Sequence, residues 1–328
     1  MNKIMKKYSN LDVIVTGGDG FVGSHLCEFL INEGANVTAL VRRNSAGTFK
    51  NMDSFKNKLK IKWGDVSDLS IVLESCKNKD IIFHLAAQSH VGHSIYNPYE
   101  TVLDNTLSTL NVLEAARKYD VKRLVHAGSS EIYGNPSHVP INEKNELNPL
   151  SPYAAAKAGA EHLLQSYYFT YNLPVVNSRF FNIYGPKQGL DQAIPKFILQ
   201  ALNNKKITIY GTGDQTRDYT FVGDAVKGYA LLGTTPKIEG KTINLGTGEE
   251  VKIKDLAQII LKLTKSNSKL IFDKKLRTGE TPRLLCDPKY AKKILKWKHN
   301  VSLEEGLAPT VEFFKDKKEL VSNLPFML

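Results

Sequence analysis

Cysteine is scarce in this chain. Cys27, Cys76 and Cys286 stand far apart among 328 residues. They are too few and too scattered for a disulfide frame or a metal-binding cluster, and they point to a reducing compartment, the cytoplasm. Any run of about 18 apolar residues is also lacking, which argues against a membrane-spanning helix and a membrane partner. The start, Met1-Asn2-Lys3-Ile4-Met5-Lys6-Lys7, is basic like a signal peptide. No apolar core or small-residue cleavage site follows it, so it reads as a short tail. Internal repeats, low-complexity stretches and a flexible linker are absent too. What remains is one large domain or two intimate ones, 42% hydrophobic in composition. The net charge of +11 comes with no nucleic-acid recognition motif, so no nucleic-acid partner is expected. The charge reads either as attraction for polyanionic ligands or as a solvated lysine surface, densest at residues 252–275 and 289–298.

What the chain does have begins with a short apolar strand at residues 11–15. It runs into Thr16-Gly17-Gly18-Asp19-Gly20-Phe21-Val22-Gly23 and then into a helix with apolar spacing. Gly17, Gly20 and Gly23 recur at intervals of three. The pattern is G-x-x-G-x-x-G rather than the G-x-G-x-x-G of many dinucleotide sites. Glycines between a strand and a helix let the backbone approach a pyrophosphate seated on the helix N-terminus, with Phe21 and Val22 in the same turn.

The second informative stretch reads His126-Ala127-Gly128-Ser129-Ser130-Glu131-Ile132-Tyr133-Gly134, followed by Ser151-Pro152-Tyr153-Ala154-Ala155-Ala156-Lys157. On a helix, Tyr153 and Lys157 share one face. A hydroxyl, a phenol, an ammonium and a carboxylate then converge. That set removes a proton from an alcohol while a cofactor takes the hydride. A tyrosine base working near pH 7 needs its pKa lowered by about 3 units from about 10. Lys157 and a positive nicotinamide ring are expected to supply the shift.

The second strand ends Ala39-Leu40-Val41-Arg42-Arg43-Asn44-Ser45, with no Asp or Glu between Val37 and Met52. An acid at that position accepts the adenosine ribose hydroxyls and rejects a 2′-phosphate, whereas arginines bind one. Arg42 and Arg43 therefore favour NADP, with NAD as the alternative and a solvated strand end as the plain reading. Strand signals at 12–15, 36–41, 59–63, 81–85, 123–127 and 175–180 alternate with helix signals at 21–32, 69–76, 106–119 and 151–171. The pattern predicts an α/β fold, a doubly wound parallel Rossmann sheet with a smaller C-terminal substrate region.

These segments, together with Gly64-Asp65-Val66, His84-Leu85-Ala86-Ala87-Gln88, Arg179-Phe180-Phe181-Asn182, Arg217-Asp218-Tyr219 and Arg277-Thr278-Gly279-Glu280, resemble the extended short-chain dehydrogenase/reductases that modify nucleotide sugars. The resemblance runs from about Asp12 to about Trp297. It implies a discontinuous second domain: residues 1–182 and 218–245 for the dinucleotide, 183–217 and 246–328 for the nucleotide-diphosphate sugar. Asp65 and Val66 would lie by the adenine. Leu85, Ala86 and Ala87 would line the pyrophosphate and the nicotinamide ribose. Ser129 would orient the sugar C4 hydroxyl. Gln88, Ser130 and Asn182 would face the substrate, and Arg217 and Arg277 its diphosphate. Ser89 and His90 would lie near the sugar, unless His90 caps a helix. A homodimer is implied, built as a four-helix bundle from the helices at 106–119 and 151–171. Leu107, Leu110, Leu113, Leu163, Leu164, Tyr167 and Tyr168 are its expected apolar contacts.

Members of this family share a 4-keto intermediate and then diverge. Epimerases return the hydride to C4, 4,6-dehydratases expel the C6 hydroxyl, and decarboxylases lose a C5 carboxylate. Ser129-Ser130-Glu131 is similar to the Thr-Ser-Glu segment of GDP-mannose 4,6-dehydratases, and epimerases commonly carry a small residue where Glu131 stands. The expectation is therefore a 4,6-dehydratase that recycles its cofactor, with a 4-epimerase as the alternative and a structural cap as the other reading of Glu131. A catalytically idle nucleotide-sensing member would lack Tyr153 or Lys157, and both are present.

Overall fold

The computed structural model describes residues 7–42, 50–274 and 281–323. Its first half alternates β1 (Asp12–Thr16), α1 (Phe21–Asn32), β2 (Asn36–Val41), β3 (Lys60–Trp63), α2 (Leu69–Cys76), β4 (Ile81–His84), α3 (Val91–Tyr96), α4 (Pro98–Val102), α5 (Ser108–Lys118), β5 (Arg123–Ser129), α6 (Pro152–Tyr171) and β6 (Val175–Phe180). The second half adds β7 (Asn182–Tyr184), α7 (Ala193–Leu202), β8 (Ile207–Tyr210), β9 (Thr216–Arg217), β10 (Tyr219–Phe221), α8 (Val222–Thr234) and β11 (Thr242–Leu245). Then follow β12 (Val251–Lys252), α9 (Ile253–Thr264), β13 (Leu270–Asp273), β14 (Arg283–Leu284), α10 (Lys289–Leu295) and α11 (Leu303–Lys315).

Seven strands form one parallel sheet in the order β3-β2-β1-β4-β5-β6-β11. The chain winds outward from β1 to β3, then crosses to β4 and winds the other way. The crevice between β1 and β4 is thus the switch point at which open α/β sheets take ligands. Both faces of the sheet are covered, which is why its strands are apolar along their whole length. Val13, Val15, Phe83 and Val125 pack with Leu26, Leu30, Val226 and Tyr229 of α1 and α8. On the other face Ile14, Leu40, Ile82 and Leu124 pack with Val112, Leu113 and Leu164 of α5 and α6. A separate core forms among Ile198, Ile207, Leu256, Leu307 and Phe314, in the part of the chain that follows β7. After β9 the chain returns to the sheet as α8 and β11. It returns again near residues 291–297, where Ala291, Leu295 and Trp297 join the α1/α8 core.

Two details differ from the sequence pattern. The helix expected at 106–119 starts earlier: Pro98 begins α4, and a π-turn at Leu103–Leu107 carries it into α5. The widened turn lets Thr106 Oγ1 reach the Ala156 carbonyl of α6 at 2.9 Å, a tertiary bond that periodicity does not encode. The apolar surplus is also distributed differently. Leu113 and Leu164 are buried on the sheet, and Leu110, Leu163 and Tyr168 pack against the same core. Leu107 stays exposed, joined on the outer surface by Tyr99 (78% exposed), Val102, Phe169 (81%) and Tyr171. Among the described residues, no helix is long and apolar enough to cross a membrane.

Candidate active site

The glycine turn leaves the N-terminus of α1 open. Gly20 caps it with no side-chain bond, and no acid occupies its first turn, so the first N–H groups point outward for an anion. Gly17 has φ +67°, and a Cβ there would sit 2.9 Å from Ala86 Cα. A Cβ on Gly23 would come within 2.0 Å of the Gly17 carbonyl oxygen. The turn, with Phe21 and Val22 half-buried beside it, is a backbone cradle with no room for a side chain at Gly17 or Gly23. These features fit a dinucleotide pyrophosphate.

A directed hydrogen-bond chain fixes the opposite wall. The Ala86 N–H donates to Thr16 Oγ1 at 3.1 Å, and the same oxygen lies 2.8 Å from His84 Nδ1. Thr109 spends its proton on the Asn105 carbonyl at 2.7 Å and therefore accepts from His84 Nε2 at 3.1 Å. This bookkeeping assigns His84 as the neutral Nε2–H tautomer, and burial holds its pKa well below the usual imidazole range. Asn105, inside the π-turn, then pairs with both backbone groups of Gln88, at 2.9 and 3.0 Å. The segment Leu85-Ala86-Ala87-Gln88 is thereby held from both sides.

At the end of β2 Arg42 Nη1 lies 3.4 Å from Asp65 and 3.3 Å from Asp104. Arg42 is therefore shared between two carboxylates, one of them from the π-turn. Asp65 also accepts from the Ser67 N–H and hydroxyl at 2.9 and 2.8 Å, and Asn111 ties down the Val66 carbonyl at 3.0 Å. Arg43 lies outside the described residues.

The Tyr153/Lys157 pair is set by a local signal. Ser151 caps α6 by accepting from Ala154 N–H at 3.2 Å, and Pro152 takes the first helical position, where its missing N–H costs nothing. Tyr153 and Lys157 follow on the face turned to β5, both buried. Lys157 Nζ donates to the Ala127 carbonyl at 2.9 Å, and burial pushes its pKa down to about 8. Tyr153 shares a side-chain hydrogen bond with Ser129. Its phenol departs from the expectation: burial pushes it up to about 12, and the Glu131 charge adds to that against the Ser129 bond. Lys157 is turned to the strand, so the lowering expected of it is not realised in the protein alone.

Ser129 Oγ also accepts from the Glu131 N–H at 3.2 Å and so caps the 3-10 turn Ser130–Tyr133. Ser129 caps this turn with its side chain, and the Glu131 main-chain N–H is the donor it accepts from. Ser130 is buried. Gln88 Nε2 donates to the His90 carbonyl at 3.0 Å. The oxygens Gln88 Oε1, Asn182 Oδ1 and Gln188 Oε1 are enclosed without a hydrogen-bond partner, which a polar ligand would satisfy. His90 does cap α3, accepting from His93 N–H at 3.0 Å. Arg217 lies on β9 between β12 and β14, with Nη1 on the Thr216 carbonyl at 2.8 Å. Arg277 lies outside the described residues. Sequence reasoning assigned no role to Asn105, His84, His126 or Gln188. The signal for the histidines was their period-two register with Ile82 and Leu124, which puts both on the α5/α6 face.

Comparison with known proteins agrees with this geometry. The family model described as GDP-mannose 4,6 dehydratase matches residues 14–310. A dTDP-D-glucose 4,6-dehydratase of Dictyostelium discoideum is 37% identical over 77% of this chain, a match spanning 62% of that protein's length. The structure of the epimerase Mth375 from Methanothermobacter thermautotrophicus superimposes with a TM-score of 0.92 at 33% identity, covering 98% of this chain and 96% of that one. The dTDP-glucose 4,6-dehydratase DesIV from Streptomyces venezuelae, solved with NAD bound, gives 0.89 at 29% identity, covering 96% of this chain and 100% of that one.

Proposed function

The chain belongs to the extended short-chain dehydrogenase/reductase family of NAD(P)-dependent nucleotide-sugar dehydratases and epimerases, and from that premise we propose that it is a nucleotide-sugar 4,6-dehydratase. Ser129, already bonded to Tyr153, holds the C4 hydroxyl, and Tyr153 takes its proton. Lys157 stabilises the resulting phenolate. NAD(P), held by the glycine turn and the Leu85-Ala86-Ala87 segment, would supply a hydride acceptor for C4 and the same hydride for return to C6, with no net redox. The 4-keto group acidifies the C5 proton, which Glu131 removes. The electron pair forms the C5–C6 double bond, the C6–O bond breaks, and the C6 hydroxyl leaves as water with the proton Glu131 took from C5. Hydride addition at C6 and return of one proton to C5, balanced by the proton Tyr153 took from the C4 hydroxyl, leave the 4-keto-6-deoxy sugar. Arg217 and Arg277 suit the diphosphate, and Gln88, Ser130 and Asn182 line the sugar end.

The observation that supports dehydration is the placement of Glu131. Its carboxylate shares a turn with Ser129, and its charge acts on Tyr153, yet it is not what caps that turn. An epimerase needs no such group. Incubating the pure protein with a panel of nucleotide sugars is expected to give a product lighter by one water. Glu131→Gln is expected to oxidise C4, leaving reduced cofactor on the enzyme, without eliminating water. Unchanged mass with inverted C4, and full activity in Glu131→Gln, would put a 4-epimerase in its place.

We also propose a homodimer through α4, α5 and α6, where Tyr99, Val102, Leu107, Phe169 and Tyr171 stand exposed on the outer face. Apolar patches of this kind favour association. A monomeric mass at micromolar concentration would refute it.

A further inference from the structure

The glycine turn is braced from outside by two residues that the mechanism above does not use. The peptide joining Asp19 to Gly20 is bonded on both sides. The Gly20 N–H donates to the Gly17 carbonyl at 3.0 Å, and the Asp19 carbonyl accepts from Asn51 Nδ2 at 3.0 Å. A carbonyl oxygen only accepts, so the Asn51 amide is fixed with its NH2 toward the turn. The braced peptide leads directly into the open first turn of α1. Rotating it would re-aim the N–H groups offered to a pyrophosphate.

Asn51 is fastened in its turn by Lys187, in the loop that follows β7. Lys187 Nζ donates to the Asn51 main-chain carbonyl at 2.7 Å. The ammonium lies 5.3 Å from the centre of the Phe55 ring and 3.9 Å from a Glu28 oxygen of α1, and 16% of the side chain is exposed. The backbone of Lys187 is left-handed, at φ +70°, a conformation that costs free energy at a residue with a Cβ. The Pro186 carbonyl beside it accepts from His25 Nε2 of α1 at 2.9 Å. The segment around Asn51 is rooted in the α1/α8 core, where Met52 and Phe55 are buried. At its other end the loop comes to the sugar side, with Asp191 3.9 Å from His90 Nε2.

We infer that Lys187 and Asn51 are positioning residues for the dinucleotide: Lys187 fixes Asn51, Asn51 fixes the Asp19–Gly20 peptide, and the loop beyond β7 thereby clasps the glycine turn and slows release of the bound cofactor. The inference rests on the reading of that turn as the dinucleotide cradle, and its test needs no turnover. Slow release serves an enzyme that returns its hydride to the same sugar. Stopped-flow fluorescence of NADH and NADPH leaving the full-length protein measures the release rate, and calorimetric titration with NAD⁺ measures affinity. Lys187→Met keeps the stem and removes the donors. Asn51→Ala removes the amide and keeps the carbonyl. Lys187→Arg keeps a donor.

Lys187→Met and Asn51→Ala are each expected to speed release about tenfold, the order of one lost hydrogen bond. Lys187→Arg should stay within a few-fold of the parent. The double variant should release the cofactor no more than about twofold faster than either single one, because the two bonds are links of one relay. Parental release in folded Asn51→Ala overturns the inference, whether or not Lys187→Met folds. Effects that multiply in the double variant overturn it as well, since Lys187 would then act on the dinucleotide through its own charge. If the parent protein binds neither NADH nor NADPH, the cradle reading falls and takes the inference with it. If the parent binds them and the variants release at the parental rate, the inference alone falls.

Discussion

Lys157 donates from Nζ to the main-chain carbonyl of Ala127 at 2.9 Å, so the ammonium one turn beyond Tyr153 is tied to the strand that delivers Ser129. A helix and the strand beside it are registered to each other through one ammonium group.

Removing either end of that arrangement should stop turnover without unfolding the chain. Tyr153→Phe and Lys157→Ala are expected to lower kcat by on the order of 10²–10⁴-fold, the usual worth of a positioned proton-transfer group. Circular dichroism should remain native. Near-normal kcat in either variant removes that residue from the mechanism.

The two buried histidines should make the fold acid-sensitive in a defined window. Both are held neutral in the folded state, His126 at about 3 and His84 well below its ordinary 6.5. Unfolded, each takes up a proton as pH drops through about 6.5. Between those limits the unfolded chain binds more protons, so stability rises with pH and is lost as pH falls. Each histidine adds at most about 1.4 kcal/mol per pH unit to the slope. Denaturant unfolding at a series of mildly acidic pH values should therefore show a shallower slope in His126→Phe than in the parent protein. Equal slopes would mean that His126 is already neutral when unfolded, or charged when folded.

Cofactor preference should turn on a residue outside the strand end where it is usually sought. Arg42 is shared by Asp65 and Asp104, which among the described residues leaves one more acid than base at this point, opposing a 2′-phosphate. Asp104→Asn should strengthen NADP⁺ binding roughly tenfold, ~1.4 kcal/mol, and leave NAD⁺ affinity nearly unchanged. Calorimetric titration of cofactor-free protein measures both. Equal changes for the two dinucleotides would place Asp104 away from the discriminating contact.

Much of this architecture was legible in the sequence because local signals and the global fold agree. Ser151 and Pro152 announce the start of α6, and the strand at 36–41 and the helices at 21–32 and 69–76 appear with the boundaries their periodicity suggests. The π-turn at Leu103–Leu107 was not legible, since it goes with a hydrogen bond from Thr106 to a helix some 50 residues away, which local spacing does not encode. Spacing shows that Lys157 shares a face with Tyr153, but not that its Nζ donates to the Ala127 carbonyl. Protonation of His84 and His126 depends on which partner each threonine and asparagine has already used.

The three glycines of the first turn look equivalent in sequence and are not equivalent in space. A Cβ on Gly20 would meet the Gly17 carbonyl oxygen at 3.1 Å, a contact that a small shift relieves. A Cβ on Gly23 would lie 2.0 Å from that oxygen and 2.9 Å from its carbon. Neither atom can move without opening the turn that aims the α1 N–H groups. Gly23→Ala is therefore expected to lose cofactor affinity by more than tenfold, and to lose thermal stability, while Gly20→Ala stays within a few-fold of the parent. Both are read by NAD⁺ titration beside a melting curve. If the two alanines cost the same, the close approach of α1 to Gly17 is not what shapes the cradle, and the affinity resides in side chains instead.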